Sequence, residues 1–183
     1  MRTAAVRPTG QERSFGEHEL IVTKTDLKGV ITYANPVFQK VSSVTEAEAV
    51  GRPHNIIRHP DMPAGVFKLL WDSIQAGDEV FAYVLNLARD GAHYWVLAHV
   101  TPSFDRAGRI VGYHSSRRRP DRSAIAAVGP LYAAMRAEER RHSRAGEAAA
   151  AGLELLLGRL DGEGRTYDEF VWSPAGGLAP SGR

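Results

Sequence analysis

The sequence predicts an α+β domain: a five-stranded antiparallel sheet with short helices on one face, followed by C-terminal helices. Three observations predict it. Runs of β-branched and aromatic residues come as a pair near the start and as a triplet after residue 80. Apolar residues at helical spacing fill the interval between the two groups. Turn-forming Asp and Gly residues join the strands within each group.

Element by element, residues 1–16 are polar and without periodicity, and read as a flexible arm. Glu19–Thr23 and Val30–Ala34 are the first two strands, joined through Asp26-Leu27-Lys28-Gly29 into a hairpin. Asn35 followed by Pro36 starts a short helix with Asn35 as cap, and Val37, Phe38 and Val41 give it one apolar face. Thr45 and Glu48 have capping-box spacing for a second short helix. The stretch 54–63 is irregular. Val66, Phe67, Leu70 and Ile74 then mark a longer amphipathic helix that Gly77 closes. Strands follow at 80–87 and 93–100, across Asp90-Gly91, and at 110–115, after the turn 105–108. Residues 17–120 therefore form one domain, 121–172 a helical extension with an interruption at Gly129-Pro130, and 173–183 a Gly/Pro/Ser-rich disordered tail. Strand alternation puts one of Tyr94 and Trp95 inside the cup of the sheet and the other outside.

Composition narrows the function classes. The chain has 183 residues, Lys+Arg 23 against Asp+Glu 21, and no cysteine. Disulfides, Cys-ligated metals and thiol catalysis are excluded, and the composition fits a reducing cytoplasm. No apolar run approaches the roughly 18 residues that span a bilayer. A net charge of +2 argues for neither nucleic acid nor a membrane surface. No nucleophile elbow or phosphate loop appears, so an enzyme is not expected. None of the seven histidines stands at metal-ligand spacing on a helix, which leaves haem a minor alternative and a metal site a weaker one.

Several stretches carry a family resemblance: 25–35 (TDLKGVITYAN), 51–63 (GRPHNIIRHPDMP), 91–96 (GAHYWV), Gly112-Tyr113 and 126–132 (AAVGPLY). Together they resemble the PAS domain of bacterial aerotaxis receptors over about residues 20–135, and the run from Pro53-His54-Asn55 through Arg58-His59-Pro60-Asp61-Met62-Pro63 is the specific part. The resemblance implies a PAS fold that holds FAD and senses redox or energy state in chemotaxis and motility. It puts the flavin contacts on Asn35, Arg58, His59, Asp61, Phe67 and Asn86. Val80 departs from it, standing where members often carry Trp, and Ala82 stands where they carry Gly. Aerotaxis receptors continue into a membrane anchor and a coiled-coil output, so this chain is expected to be a stand-alone, cytoplasmic PAS protein.

The residue types suit that chemistry. Arg58 offers a bidentate fork for a pyrophosphate, and His59 and Asp61 could orient hydroxyls. Spacing alone equally allows Asp61 to cap the following helix with Arg58 paired to it at the surface. The amides of Asn35 and Asn86 match the donor–acceptor edge of a flavin, although Asn35 is also a helix cap. Arg117-Arg118-Arg119 with Arg122 reads as a solvated exit from the last strand. The leucine-rich stretch 153–160 must be buried, either folded back on the open face of the sheet or in a homodimer. Output through a signalling protein partner follows from either arrangement. The rival reading is a cofactor-free PAS scaffold, or a sensor of another small ligand.

Overall fold

The computed structural model describes residues 6–173. Strands β1 (Ile21–Thr25), β2 (Ile31–Ala34), β3 (Val80–Leu87), β4 (His93–Phe104) and β5 (Ile110–Arg118) form one antiparallel sheet in the order β2-β1-β5-β4-β3. Bringing β1 beside β5 puts the two ends of the domain at the centre of the sheet. One cross-strand row on its inner face runs Thr23, Ser115, Val100, Val80, and the next runs Ile21, Arg117, Ala98, Ala82.

Local chemistry sets the short helices that cover this face. Helix α1 (Pro36–Ser42) starts where Asn35 accepts the Phe38 N–H, with Pro36 in the first turn. Helix α2 (Glu46–Ala49) has both halves of the Thr45/Glu48 capping box. A 3-10 turn at His54–Ile57 breaks up the irregular stretch. Helix α3 (Ala64–Ala76) ends on Gly77, whose φ of 96° is left-handed. Phe38, Val41, Met62, Val66 and Ile74 go fully into the core from this layer. Tyr94 is the inward member of its pair. It is completely buried, its hydroxyl is 2.6 Å from Ser42 Oγ, and burial pushes its ionisation up to about 12.

Helices α4 (Arg122–Glu139), α5 (Ala145–Gly162) and α6 (Tyr167–Trp172) follow. Helix α4 runs through Pro130 as one element rather than restarting. These helices close the β3 edge, where exposed backbone would otherwise recruit another strand. The Tyr132 hydroxyl donates to Tyr83 O at 2.7 Å, and the Tyr167 hydroxyl donates to Phe81 O at 2.9 Å. The Tyr83 hydroxyl in turn donates to Val171 O at 2.9 Å. Leu156 and Leu160 are buried within the chain, so the leucine stretch folds back, but it packs against α3 and α4 rather than on the expected sheet face.

The N-terminal segment differs from the expected free arm. The Thr9 N–H donates to Gly91 O, the His93 N–H to Gln11 O and the Arg13 N–H to His93 O, at 2.9, 2.9 and 2.7 Å. Phe15 is buried. A polar sequence without periodicity still carries backbone groups, and here they pair with the start of β4. The arm's first five residues, and the tail beyond Ser173, lie outside the described residues.

Candidate functional site

Between the inner face of the sheet, α3 and the 54–58 segment lies a cavity of about 260 Å³. Its apolar walls include Ile57, Phe67, Leu70, Trp71, Val84, Ala98 and Val100. Trp71 and Tyr113 meet edge-to-face with ring centroids 5.5 Å apart. Gly29, at φ 76°, allows the Trp71 indole to lie close, because a Cβ there would come within 3.0 Å of the ring.

The polar part of the cavity is unusual. Among the described residues, three buried side-chain atoms lack a hydrogen-bond partner: Asn86 Nδ2, Ser115 Oγ and Arg117 Nη1. All three residues line this one cavity. Arg117 is 6% exposed and has no carboxylate among its hydrogen-bond partners. Burial pulls its pKa down to about 10. Its Nη2 lies 2.7 Å from His54 Nε2 and 3.3 Å from Thr23 Oγ1. A guanidinium only donates, so His54 Nε2 accepts and the ring proton sits on Nδ1. Burial, reinforced by the adjacent Arg117 cation, holds the His54 pKa well below its usual value. The sheet thus offers a buried cation and an amide donor, each with an unused hydrogen.

The expected site residues divide into two groups. Asn86, Arg58 and Phe67 line the cavity. The Arg58 guanidinium stands 4.6 Å from the centre of the Phe67 ring and donates to Met62 O at 3.2 Å. Asn35, His59 and Asp61 do not line it. Asn35 spends its amide on the backbone: Oδ1 accepts from Val22 and Phe38, and Nδ2 donates to Leu20 O at 2.8 Å. His59 is buried, and its Nδ1 accepts the Asp61 N–H at 3.0 Å. Asp61 faces outward and pairs with Arg136 of α4. It is not the cap of α3, since Pro63 occupies that position.

Arg117 corrects the expectation of a solvated basic exit. The last strand reaches Arg118, so Tyr113, Ser115 and Arg117 alternate onto the inner face. Arg118 and Arg119 are exposed as expected, Arg119 in a surface pair with Glu17. Arg122 pairs with Glu12. Period-two alternation from the buried Tyr113 was the signal for Arg117, and ending the strand at 115 hides it. Val80 sits on the cavity side of β3 but is not among the lining residues, and the aromatic wall comes instead from α3 and β5.

Comparison with known proteins identifies the fold and the family. Residues 21–115 match the family model of the PAS fold. The chain belongs to the PAS family. It is 41% identical over 129 residues to the aerotaxis receptor of Escherichia coli strain K12, which covers 70% of this chain and 25% of that protein. It is 25% identical over 97 residues to a nitrogen fixation regulatory protein of Klebsiella pneumoniae, covering 53% of this chain and 20% of that protein. The chain therefore spans a quarter or less of the length of these relatives. Among solved structures, a light-oxygen-voltage domain studied with a flavin analogue aligns with a TM-score of 0.56 at 17% identity, over 61% of this chain and 85% of that one. The light-oxygen-voltage domain of the blue-light photoreceptor Aureochrome1 in its dark state aligns with a TM-score of 0.54 at 23% identity, over 60% and 82%. This PAS domain is of the aerotaxis-receptor type by sequence, and the two solved structures share its fold. Among the described residues no helix is long and apolar enough to cross a membrane, and no group of three or more His, Asp or Glu could hold a metal ion.

Proposed function

We propose that this chain is a cytoplasmic PAS sensor that binds FAD in the cavity. It signals redox or energy state through protein contacts of its sheet and C-terminal helices, in the service of aerotaxis. The observation that carries the reading is the convergence of three unpaired buried polar atoms on one apolar-walled cavity. A buried polar group without a partner costs about 1–3 kcal/mol, so three together call for a bound ligand or ordered water to meet them.

The residues present fit a flavin ring. A flat heterocycle with carbonyl and ring-nitrogen acceptors along one edge would receive the Asn86 and Arg117 donors while Trp71, Phe67 and Val84 cover its faces. Arg58, an exposed residue that also lines the cavity, is the cation for a pyrophosphate. Bound there, a flavin supplies a redox centre whose ring changes charge and protonation on reduction. Arg117 holds a fixed positive charge beside that edge. His54 stays neutral and keeps the guanidinium oriented. Asn86 on β3 and Arg117 on β5 pass a change in hydrogen bonding to the sheet, and α4 and α6 bond to the β3 backbone from outside. The output is a changed surface for a signalling protein partner. A homodimer would use the faces of the helices that remain outside, such as Leu157 at 44% exposure.

The visible spectrum of the purified full chain tests the reading. The paired bands of an oxidised flavin, bleaching with dithionite, are expected. A colourless protein that takes up no added FAD would leave a scaffold or a sensor of another small ligand. A Soret band would assign the cavity to haem.

A further inference from the structure

We propose that Glu139, at the end of α4, is a positioning residue for the cavity wall, so that docking of the helical extension and filling of the cavity stabilise each other. The flavin in this statement rests on the function proposed above; the positioning itself does not. Helix α3 follows Pro63, and no side chain of its own caps it. Its first N–H groups therefore need outside acceptors. Glu139 supplies both: Oε2 accepts the Ala64 N–H at 3.0 Å and Oε1 accepts the Gly65 N–H at 2.8 Å. A carboxylate there is also favoured by the helix dipole.

Burial lowers the Arg58 pKa, and the charge of the same carboxylate, which makes no direct ion pair with the guanidinium, opposes that shift. Arg58 and Phe67, the latter one turn into α3, both line the cavity. Arg136, three residues before Glu139, holds Asp61 in the loop between them. One turn of α4 thus holds the wall segment 58–65 at its middle, through Asp61, and at its end, through Ala64 and Gly65.

Helix α5 closes the arrangement from the other side. A Cβ at Gly152 would meet Glu139 Oε1 at 2.3 Å, and a Cβ at Gly65 would meet Leu153 N at 2.5 Å. Only glycine leaves room for this approach of α3, α4 and α5, so the three helices pack as one close-fitting unit here. A ligand that fixes Arg58 and Phe67 therefore favours the docked extension, and the docked extension favours the ligand by the same factor.

The test uses the full chain as wild type, Glu139→Ala and Glu139→Gln. Without ligand, amide exchange at Ala64, Gly65 and the 58–62 loop should accelerate in Glu139→Ala, with the central sheet amides unchanged. FAD affinity should fall about five- to tenfold in Glu139→Ala, the order expected for losing a charged cap. Glu139→Gln, which keeps an acceptor, should recover part of both. In wild type FAD should slow exchange across α5, and in Glu139→Ala it should not. Exchange at Ala64 and Gly65 that matches wild type overturns the proposal. So does accelerated exchange with unaltered FAD affinity and α5 protection. If wild type takes no FAD but exchange responds as stated, the flavin reading fails and the positioning role stands.

Discussion

The Nη2 of Arg117 lies 2.7 Å from Nε2 of His54, so a fixed cation donates to an imidazole that must stay neutral to accept it. The pair occupies the cavity side of a sheet whose inner face is otherwise mostly apolar. Its cost is a conformational and electrostatic burden on the ligand-free protein, and several measurable consequences follow from where that burden falls.

Acidification should destabilise the fold through His54. Its folded pKa is lowered, first by burial and then by Arg117. Well above pH 6.5, the ordinary histidine value, neither state takes a proton; below it the unfolded chain does and the folded one resists. Stability is therefore lost as pH falls, by up to about 1.4 kcal/mol per pH unit, until the folded pKa is reached. His59, also lowered by burial, contributes in the same window. Urea midpoints measured between about pH 7.5 and about pH 5.5 should drop in wild type and drop less in His54→Gln. Equal slopes in the two proteins would refute the assignment.

Arg117→Met should separate stability from binding. Removing a buried cation that has no carboxylate should leave the ligand-free protein as stable as wild type or up to about 3 kcal/mol more stable. FAD affinity should fall at least about tenfold, because a hydrogen bond from a charged donor is lost. Thermal melting and FAD titration of the same samples check both halves. A large loss of stability would mean that Arg117 is structural.

The glycines of the α3–α5 contact should behave oppositely to an exposed one. Gly65→Ala would place a Cβ 2.5 Å from Leu153 N, against backbone that cannot yield, and should cost about 1–3 kcal/mol. Gly158→Ala meets nothing within 4 Å in the same α5 and should stabilise by up to about 1 kcal/mol. Denaturant unfolding of the two variants is the comparison, and similar values for both would argue against close helix contact.

The extension should contribute stability to the sheet. Tyr132→Phe leaves the Tyr83 carbonyl without its donor and should cost about 1–3 kcal/mol. Leu156→Ala empties a fully buried site and should cost about 2–5 kcal/mol. If both variants unfold like wild type, α4 and α5 are not part of the cooperative unit.

Much of the fold was legible because local chemistry marks its joints. Asn35-Pro36, the Thr45/Glu48 box, Gly77 and Asp90-Gly91 each name a boundary within a few residues. The site was less legible, for two physical reasons. The fold spends the Asn35 amide on backbone, turns His59 Nδ1 to the Asp61 N–H and pairs Asp61 with Arg136 outside the cavity, and residue type cannot show that. Arg117 and His54 come from segments 63 residues apart, and only the pairing of β5 with β1, beneath the 3-10 turn, brings them together. Glu139 was invisible for the same reason: its partners lie 74 and 75 residues away.

The most direct test of the central claim is an equilibrium titration of the ligand-free full chain with FAD, read by quenching of flavin fluorescence, in wild type and Asn86→Ala. Saturation at one FAD per chain is predicted for wild type, with affinity lower by about tenfold when the free Asn86 donor is removed. Absence of saturable binding in wild type, or equal affinity in the two proteins, would contradict it.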